Sequence, residues 1–396
     1  MLNPWEATGK FDDGVYAKLI KQFGVQPIDD DLLARFTRVT GHEPHLLLRR
    51  GLFFAHRNLD EFLTAFEKGE PVFLYTGRGP SGHMHIGHRI AMDFTVWLQK
   101  VFKCPVVFQM ADDEKYWFKD KSFEQIDELA RQNIPDIIAL GFDPENTFVF
   151  SNRVYSRTPA YQKVAFDMLN LVRVKDIQAI FGIKDTAPTG QIMWPIYQSA
   201  AAFSQSFGSM FGGKPARCLV AYAIDQDPYF RLCRDVAPQL GFYKPCSIMC
   251  RFLPALQGDA KMSTTVTSCQ PVFMSDSPDQ IKDKINRYAF SGGRDTAEEH
   301  RRHGGNPDID VSFQWLRHFL DDDDELAQIE ADYRSGTLLT GQLKKRCIEV
   351  VSEMALAQQA AVAAVTPDVI RQFCTYGDEI GYDKLDTIGS GAAGGD

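Results

Sequence analysis

The densest chemistry in the chain sits at one short turn, where His83, His85 and His88 fall at HxHxxH spacing between Arg78 and Arg89, with glycines at 77, 79, 82 and 87. Three readings suit such residues. A zinc ion would accept three imidazoles but wants a fourth ligand, and no Cys, Asp or Glu lies close by in the chain. Histidines can also simply satisfy the backbone groups of a turn. The third reading is anion binding, which we favour. A helix N-terminus offers free N–H groups and a partial positive charge. Glycines let the backbone approach a phosphate, and imidazole N–H groups with the Arg78 guanidinium can grip a phosphoryl group as charge builds on it.

This turn needs elements to hold it. The apolar run over residues 72–75 predicts a buried strand, and Ile86, Ile90, Phe94, Trp97, Leu98 and Val101 predict an amphipathic helix. Strand, glycine turn and helix form the first unit of a nucleotide-binding α/β fold. A second buried strand is expected over 104–112, with Gln109 near its carboxyl end, where such sheets bind ligands. Asp112, Asp113, Glu114 and Lys115 follow at once, either a solvated loop or part of a site. Further strands are expected over 147–150, 217–224 and 246–252. A helix is expected over 122–141, opened by a Ser122/Gln125 capping box and kinked or broken at Pro135.

Residues from about 155 to 210 read as helical, and Gln191, Trp194, Tyr197 and Gln198 would share one face. That face is either ordinary packing or a mixed polar and aromatic binding surface. After the 217–224 strand, Pro228 suits the first turn of a helix capped by Asp225 or Asp227. The segment 257–265 is a loop of small residues with one lysine, Lys261. From 276 to 376 helical periods dominate, with a small basic patch at Lys344, Lys345 and Arg346. Residues 35–57 are also locally basic, a solvated face or a contact for nucleic acid or nucleotide.

The 396 residues suggest two or three domains. With 43 basic and 52 acidic side chains the net charge is −9, which argues against sequence-blind coating of nucleic acid while permitting a local basic patch. Eight cysteines lie singly without a CxxC, which reads as free thiols in a reducing compartment; Cys246 and Cys250 read as core. No run of about eighteen apolar residues and no signal-peptide pattern is evident, so the expectation is a cytoplasmic protein without membrane association.

His85-Ile86-Gly87-His88 resembles the HIGH signature of class I aminoacyl-tRNA synthetases, and Lys261-Met262-Ser263-Thr264-Thr265 resembles their KMSKS loop, in the right order and separation. The segments 75–80, 112–116, 223–231, 252–258, 290–295 and 340–345 resemble those of eukaryotic tryptophanyl-tRNA synthetases, over about residues 4–373. The second KMSKS lysine is replaced by Thr264 and the final serine by Thr265. The loop before Met84 is one residue shorter than in animal enzymes, with His83 inserted in it, so His83 is left out of the expected core site.

The resemblance implies an α/β fold. A Rossmann-type parallel-sheet catalytic domain (67–275) would carry a helical insertion at about 155–210. It would follow a mostly helical N-terminal extension (1–66) and precede an α-helical anticodon-binding domain (276–380) and a flexible tail (381–396). It implies activation of L-tryptophan by ATP and transfer to tRNA(Trp), in a homodimer. His85, Gly87 and His88 would hold ATP with Arg78 and Gly79, and Lys261, Met262 and Ser263 would close on the pyrophosphate. Lys115 and Arg78 would supply charge that the missing loop lysine does not. Mg²⁺ would ride on the phosphates without protein ligands. Tyr75, Gln109, Glu114, Trp194, Gln198 and Gln226 would surround tryptophan, with Tyr75 and Gln109 toward the indole N–H and Glu114 and Gln198 toward the ammonium. The rival expectations are a tyrosine-activating enzyme, a non-catalytic tryptophan-binding paralogue and a nucleotidyltransferase that does not act on tRNA.

Overall fold

The computed structural model describes residues 13–258 and 271–382. Its centre is a seven-stranded sheet built from β1 (Gln26–Pro27), β2 (Phe53–Arg57), β3 (Val72–Arg78), β4 (Val106–Met110), β5 (Thr147–Ser151), β6 (Arg217–Ala223) and β7 (Cys246–Cys250). The spatial order is β1-β2-β7-β6-β3-β4-β5. The five strands from β3 to β7 run parallel, and β2 and β1 extend the β7 edge antiparallel. Taken by themselves, the five parallel strands follow the doubly wound order in which the chain reverses direction across the sheet between β3 and β6. A crevice therefore opens at their carboxyl ends.

Each parallel strand is apolar along its length because helices cover both faces. Leu74, Val106 and Phe108 face one core with Phe36, Phe53, Phe94 and Trp315. Phe73, Tyr75 and Val107 face the other, with Tyr161, Trp194 and Phe230. Side chains alternate along a strand, so the odd-numbered Tyr75 and Gln109 point to the second face. That face is covered by helices Pro159–Leu171, Val174–Phe181 and Thr189–Ala200.

Residues 13–66 are not an appendage, contrary to the expected boundary: β2 pairs with β7 in the central sheet. The 35–57 stretch is basic because it wires this segment inward. Arg49 and Arg50 grip Asp323, and Arg57 grips Asp227 through two bonds of 3.0 and 2.9 Å. The helix Phe123–Ile138 starts with the expected capping box but runs unbroken through Pro135. Helices also fill 278–373, and Trp315 donates to the Pro254 carbonyl at 2.9 Å, so they share the first core rather than standing apart. In the basic patch there, Arg346 pairs with Glu325 and Glu349, and Lys344 donates to the Asn286 carbonyl. The expected tail begins too early: Gly381 accepts the Ser151 N–H at 2.8 Å and Tyr382 is buried. The rest of the tail lies outside the described residues.

Candidate active site

The expected site residues gather along the carboxyl ends of β3, β4 and β6. At the end of β3, Arg78 is 6% exposed. Its Nη2 donates to the Gly82 carbonyl at 2.9 Å and to Ser81 Oγ at 3.2 Å, while Nε and Nη1 find no acceptor among the described residues. Burial lowers its pKa to about 10. Two buried guanidinium nitrogens without acceptors are costly unless an anion completes them.

The turn then feeds the helix Ile86–Phe102. The His85 and His88 rings stack with centroids 3.5 Å apart, and the His85 backbone N–H donates to His88 Nδ1 at 3.2 Å. An Nδ1 that accepts carries no proton, so neutral His88 holds its hydrogen on Nε2 and can donate there. The three histidines do not converge: no group of three His, Cys, Asp or Glu side chains suited to a metal occurs among the described residues. His83 instead meets the edge of Phe273. Ile86 N–H bonds to the Val272 carbonyl and Met274 N–H to the Met84 carbonyl. These bonds tie the turn to residues 272–274. Lys261, Met262 and Ser263 lie outside the described residues.

Glu114 and Lys115, expected on different substrates, pair with each other at 2.8 Å. They lie against Gly79, where an added Cβ would stand 2.6 Å from Glu114 Oε2 and 3.0 Å from Lys115 Nζ.

Deeper in, Tyr75 Oη donates to Gln109 Oε1 at 2.5 Å and accepts from Gln198 Nε2 at 3.1 Å. Gln198 Oε1 is buried without a partner among the described residues. Burial raises the Tyr75 phenol well above its ordinary value and keeps it neutral. Trp194 and Tyr229 meet edge to face at 5.7 Å, and Tyr75 meets Phe230 at 5.9 Å. Gln191, on the same predicted helix face, instead donates to the Trp117 carbonyl at the surface. Gln226 lies at the start of helix Asp227–Leu240, where its amide donates to Asp225 at 3.1 Å. Neither expected aspartate caps that helix, because Asp227 turns to Arg57 and Tyr222.

Sequence reasoning raised Asp113 only within the Asp112–Lys115 cluster and did not raise Asn152 or Tyr161. Asp113 accepts from Trp194 Nε1 and from Asn152 Nδ2, both at 2.8 Å, and Tyr161 joins Asn152 around Gln109. Burial, then the neighbouring Asp112 charge, raises Asp113 to about 7. Asn152 follows the end of β5, the same kind of position that drew attention to Asp112. Tyr161 gave no signal.

A family model described as tRNA synthetases class I (W and Y) matches residues 67–355. This chain belongs to that family. Within the class I W and Y synthetases it is 47% identical to the cytoplasmic tryptophan–tRNA ligase of Oryctolagus cuniculus over 379 residues, 94% of this chain and 80% of that one. It is 46% identical to that of Schizosaccharomyces pombe, covering 94% and 96%. Among solved structures, the tryptophanyl-tRNA synthetase from Giardia lamblia superposes with TM-score 0.87 at 40% identity, covering 91% of this chain and 96% of that one. That from Encephalitozoon cuniculi, bound to tryptophan, gives 0.84 at 35%, covering 92% and 98%.

Proposed function

We propose that this protein is a tryptophan–tRNA ligase, which activates L-tryptophan with ATP and transfers it to the 3′ end of tRNA(Trp). The observation that carries the reading is the buried Tyr75–Gln109–Gln198 cluster beside Trp194, Tyr229 and Phe230, at the sheet crevice of a class I W and Y synthetase. Indole is a large flat apolar body with one N–H donor. The cluster offers aromatic walls and, through Tyr75 Oη and Gln109 Oε1, an acceptor end. Gln198 Oε1 supplies an unmet acceptor for the ammonium, which Glu114 and Gln226 would also help to hold.

In the first step a tryptophan carboxylate oxygen attacks the α-phosphorus, forming a P–O bond as the bond to pyrophosphate breaks. In the second, the ribose hydroxyl of the terminal adenosine attacks the acyl carbon and AMP leaves. The protein's share is positioning and charge stabilisation. His88 Nε2–H, His85, Gly87 and Gly79 would cradle ATP, and Arg78 would offer its two unmet nitrogens to phosphate oxygens. The incoming ammonium would take Glu114 from Lys115 and release that lysine toward the phosphates. Lys261, Met262 and Ser263 would close over the pyrophosphate. Magnesium would travel on the phosphates.

The helices of 278–373 would read the anticodon. A symmetric dimer would find an apolar face at the exposed Tyr116, Trp117 and Phe123, where Tyr116 stacks on Phe123 and meets Trp117 edge to face. No single helix among the described residues is long and apolar enough to cross a membrane. The Oryctolagus cuniculus and Schizosaccharomyces pombe relatives are named cytoplasmic, which supports the same place for this chain. The test is charging of a tRNA(Trp) transcript with labelled tryptophan, ATP and magnesium. Acid-precipitable label is expected; folded protein that charges nothing overturns the reading.

A further inference from the structure

Gln109 can present the pocket with an acceptor or a donor, depending on which way its amide is turned. We propose that Asp113, acting through Asn152, fixes that choice and so makes the end of the pocket an acceptor for the indole N–H. Asp113 is thus a positioning residue for amino-acid specificity.

The argument is a chain of donor and acceptor types. Above its raised value of about 7 the Asp113 carboxylate is ionised, and in that form it has no hydrogen to give. Trp194 Nε1–H occupies one oxygen at 2.8 Å, and Asn152 must therefore turn its NH₂ to the other, also at 2.8 Å. That leaves Asn152 Oδ1 facing Gln109, whose NH₂ donates to it at 2.8 Å. Gln109 Oε1 then has to face Tyr75, whose O–H is spent on it at 2.5 Å. With its hydrogen committed inward, Tyr75 Oη shows only lone pairs to the pocket, as does Gln109. Tyr161 reinforces the order. Its O–H donates to the Tyr197 carbonyl at 2.6 Å, so its oxygen accepts the second Gln109 N–H at 3.1 Å.

Gln109 and Asn152 are fully buried and Tyr75 nearly so. No water competes, and a mismatched donor pair cannot be hidden. The substitution Asp113→Asn keeps the shape and adds a donor. With Trp194 N–H still claiming the carbonyl of the new amide, its NH₂ would be pushed toward Asn152. Two donors then meet somewhere along the chain unless Asn152 and Gln109 both turn over, which would present a donor to the indole N–H.

The inference rests on the tryptophan reading. The experiment measures ATP–pyrophosphate exchange with tryptophan and with 3-benzothienylalanine, in which sulfur replaces the ring N–H. Wild type should prefer tryptophan by roughly ten- to a hundredfold in kcat/KM, because the analogue leaves a buried acceptor unpaired. A wild type that uses both equally refutes N–H recognition itself, whatever the variants do. Given that preference, Asp113→Asn should lower it on the order of tenfold or more, mainly through the tryptophan KM, with the analogue nearly unchanged. Adding Trp194→Phe removes the N–H that claims the new amide's carbonyl, lets that carbonyl face Asn152, and should restore most of the preference. A merely structural role predicts no such rescue. Should Asp113→Asn not accumulate folded, Asn152→Leu cuts the same link and should also lower the preference. A preference kept within about twofold in the variant measured, or an equal loss for both amino acids, overturns the proposal.

Discussion

Gly77→Ala should cripple the enzyme although it adds one methyl group. In the parallel β3–β4 register Gly77 sits opposite Gln109. A Cβ there would lie 2.6 Å from the Gln109 carbonyl oxygen and 3.2 Å from the Gln109 Cβ. Ordinary contact begins at 3.4 Å, so about 0.8 Å must be found. The obstacle is backbone, and Gln109 is held on its far side by Asn152 and Tyr161. The strands must therefore part at the end that carries Tyr75 and Gln109. Overpacking of this kind costs about 1–3 kcal/mol of stability. A displacement near 1 Å in a group that positions substrate costs on the order of a hundredfold in rate. Gly82→Ala is the control, because nothing lies within 4 Å of its added Cβ. Gly79→Ala falls between, since it meets only the tips of Glu114 and Lys115. The assay is tryptophan-dependent ATP–pyrophosphate exchange, with urea unfolding alongside. Gly77→Ala behaving like Gly82→Ala in both would refute the reasoning.

Two further outcomes concern charges. Burial and the adjacent Asp112 raise Asp113 to about 7, with Glu114 adding to the same effect, so the folded state binds a proton more tightly than the unfolded chain does. Stability should therefore fall as pH rises from the ordinary carboxylate value of 3.8 toward about 7. Asp113→Asn should flatten that limb in urea midpoints taken across the range; an unchanged slope would count against a buried, protonatable Asp113. Arg57→Met should cost about 3–5 kcal/mol, because it leaves a fully buried Asp227 with Tyr222 alone. Replacing both Arg57 and Asp227 by apolar residues should cost much less, and equal losses would remove the ion pair from the account.

The five parallel strands were legible because they are buried on both faces and read as largely apolar runs. The strand, turn and helix over 72–102 were legible because glycines, histidines and helix period coincide there. What stayed hidden depends on contacts across the sheet. Asp113 looks like one acid in a charged loop, and only the fold brings Asn152 and Trp194 to its two oxygens. Arg49, Arg50 and Arg57 read as a basic surface because their acids lie far along the chain, at 323 and 227. Strand β2 escaped notice because it pairs antiparallel between β1 and β7, with a register shift between Phe53 and Ala55. Pro135 was misjudged because position alone does not reveal whether a helix tolerates the missing N–H.

The central claim is an acceptor-ended pocket for tryptophan beside a phosphate-binding turn. Its most direct test is ATP–pyrophosphate exchange with purified protein, magnesium, and either tryptophan or tyrosine. Exchange with tryptophan and little with tyrosine is the predicted result. Exchange with tyrosine at a comparable rate would contradict the assignment of Tyr75 and Gln109, and no exchange with either would contradict the catalytic reading itself.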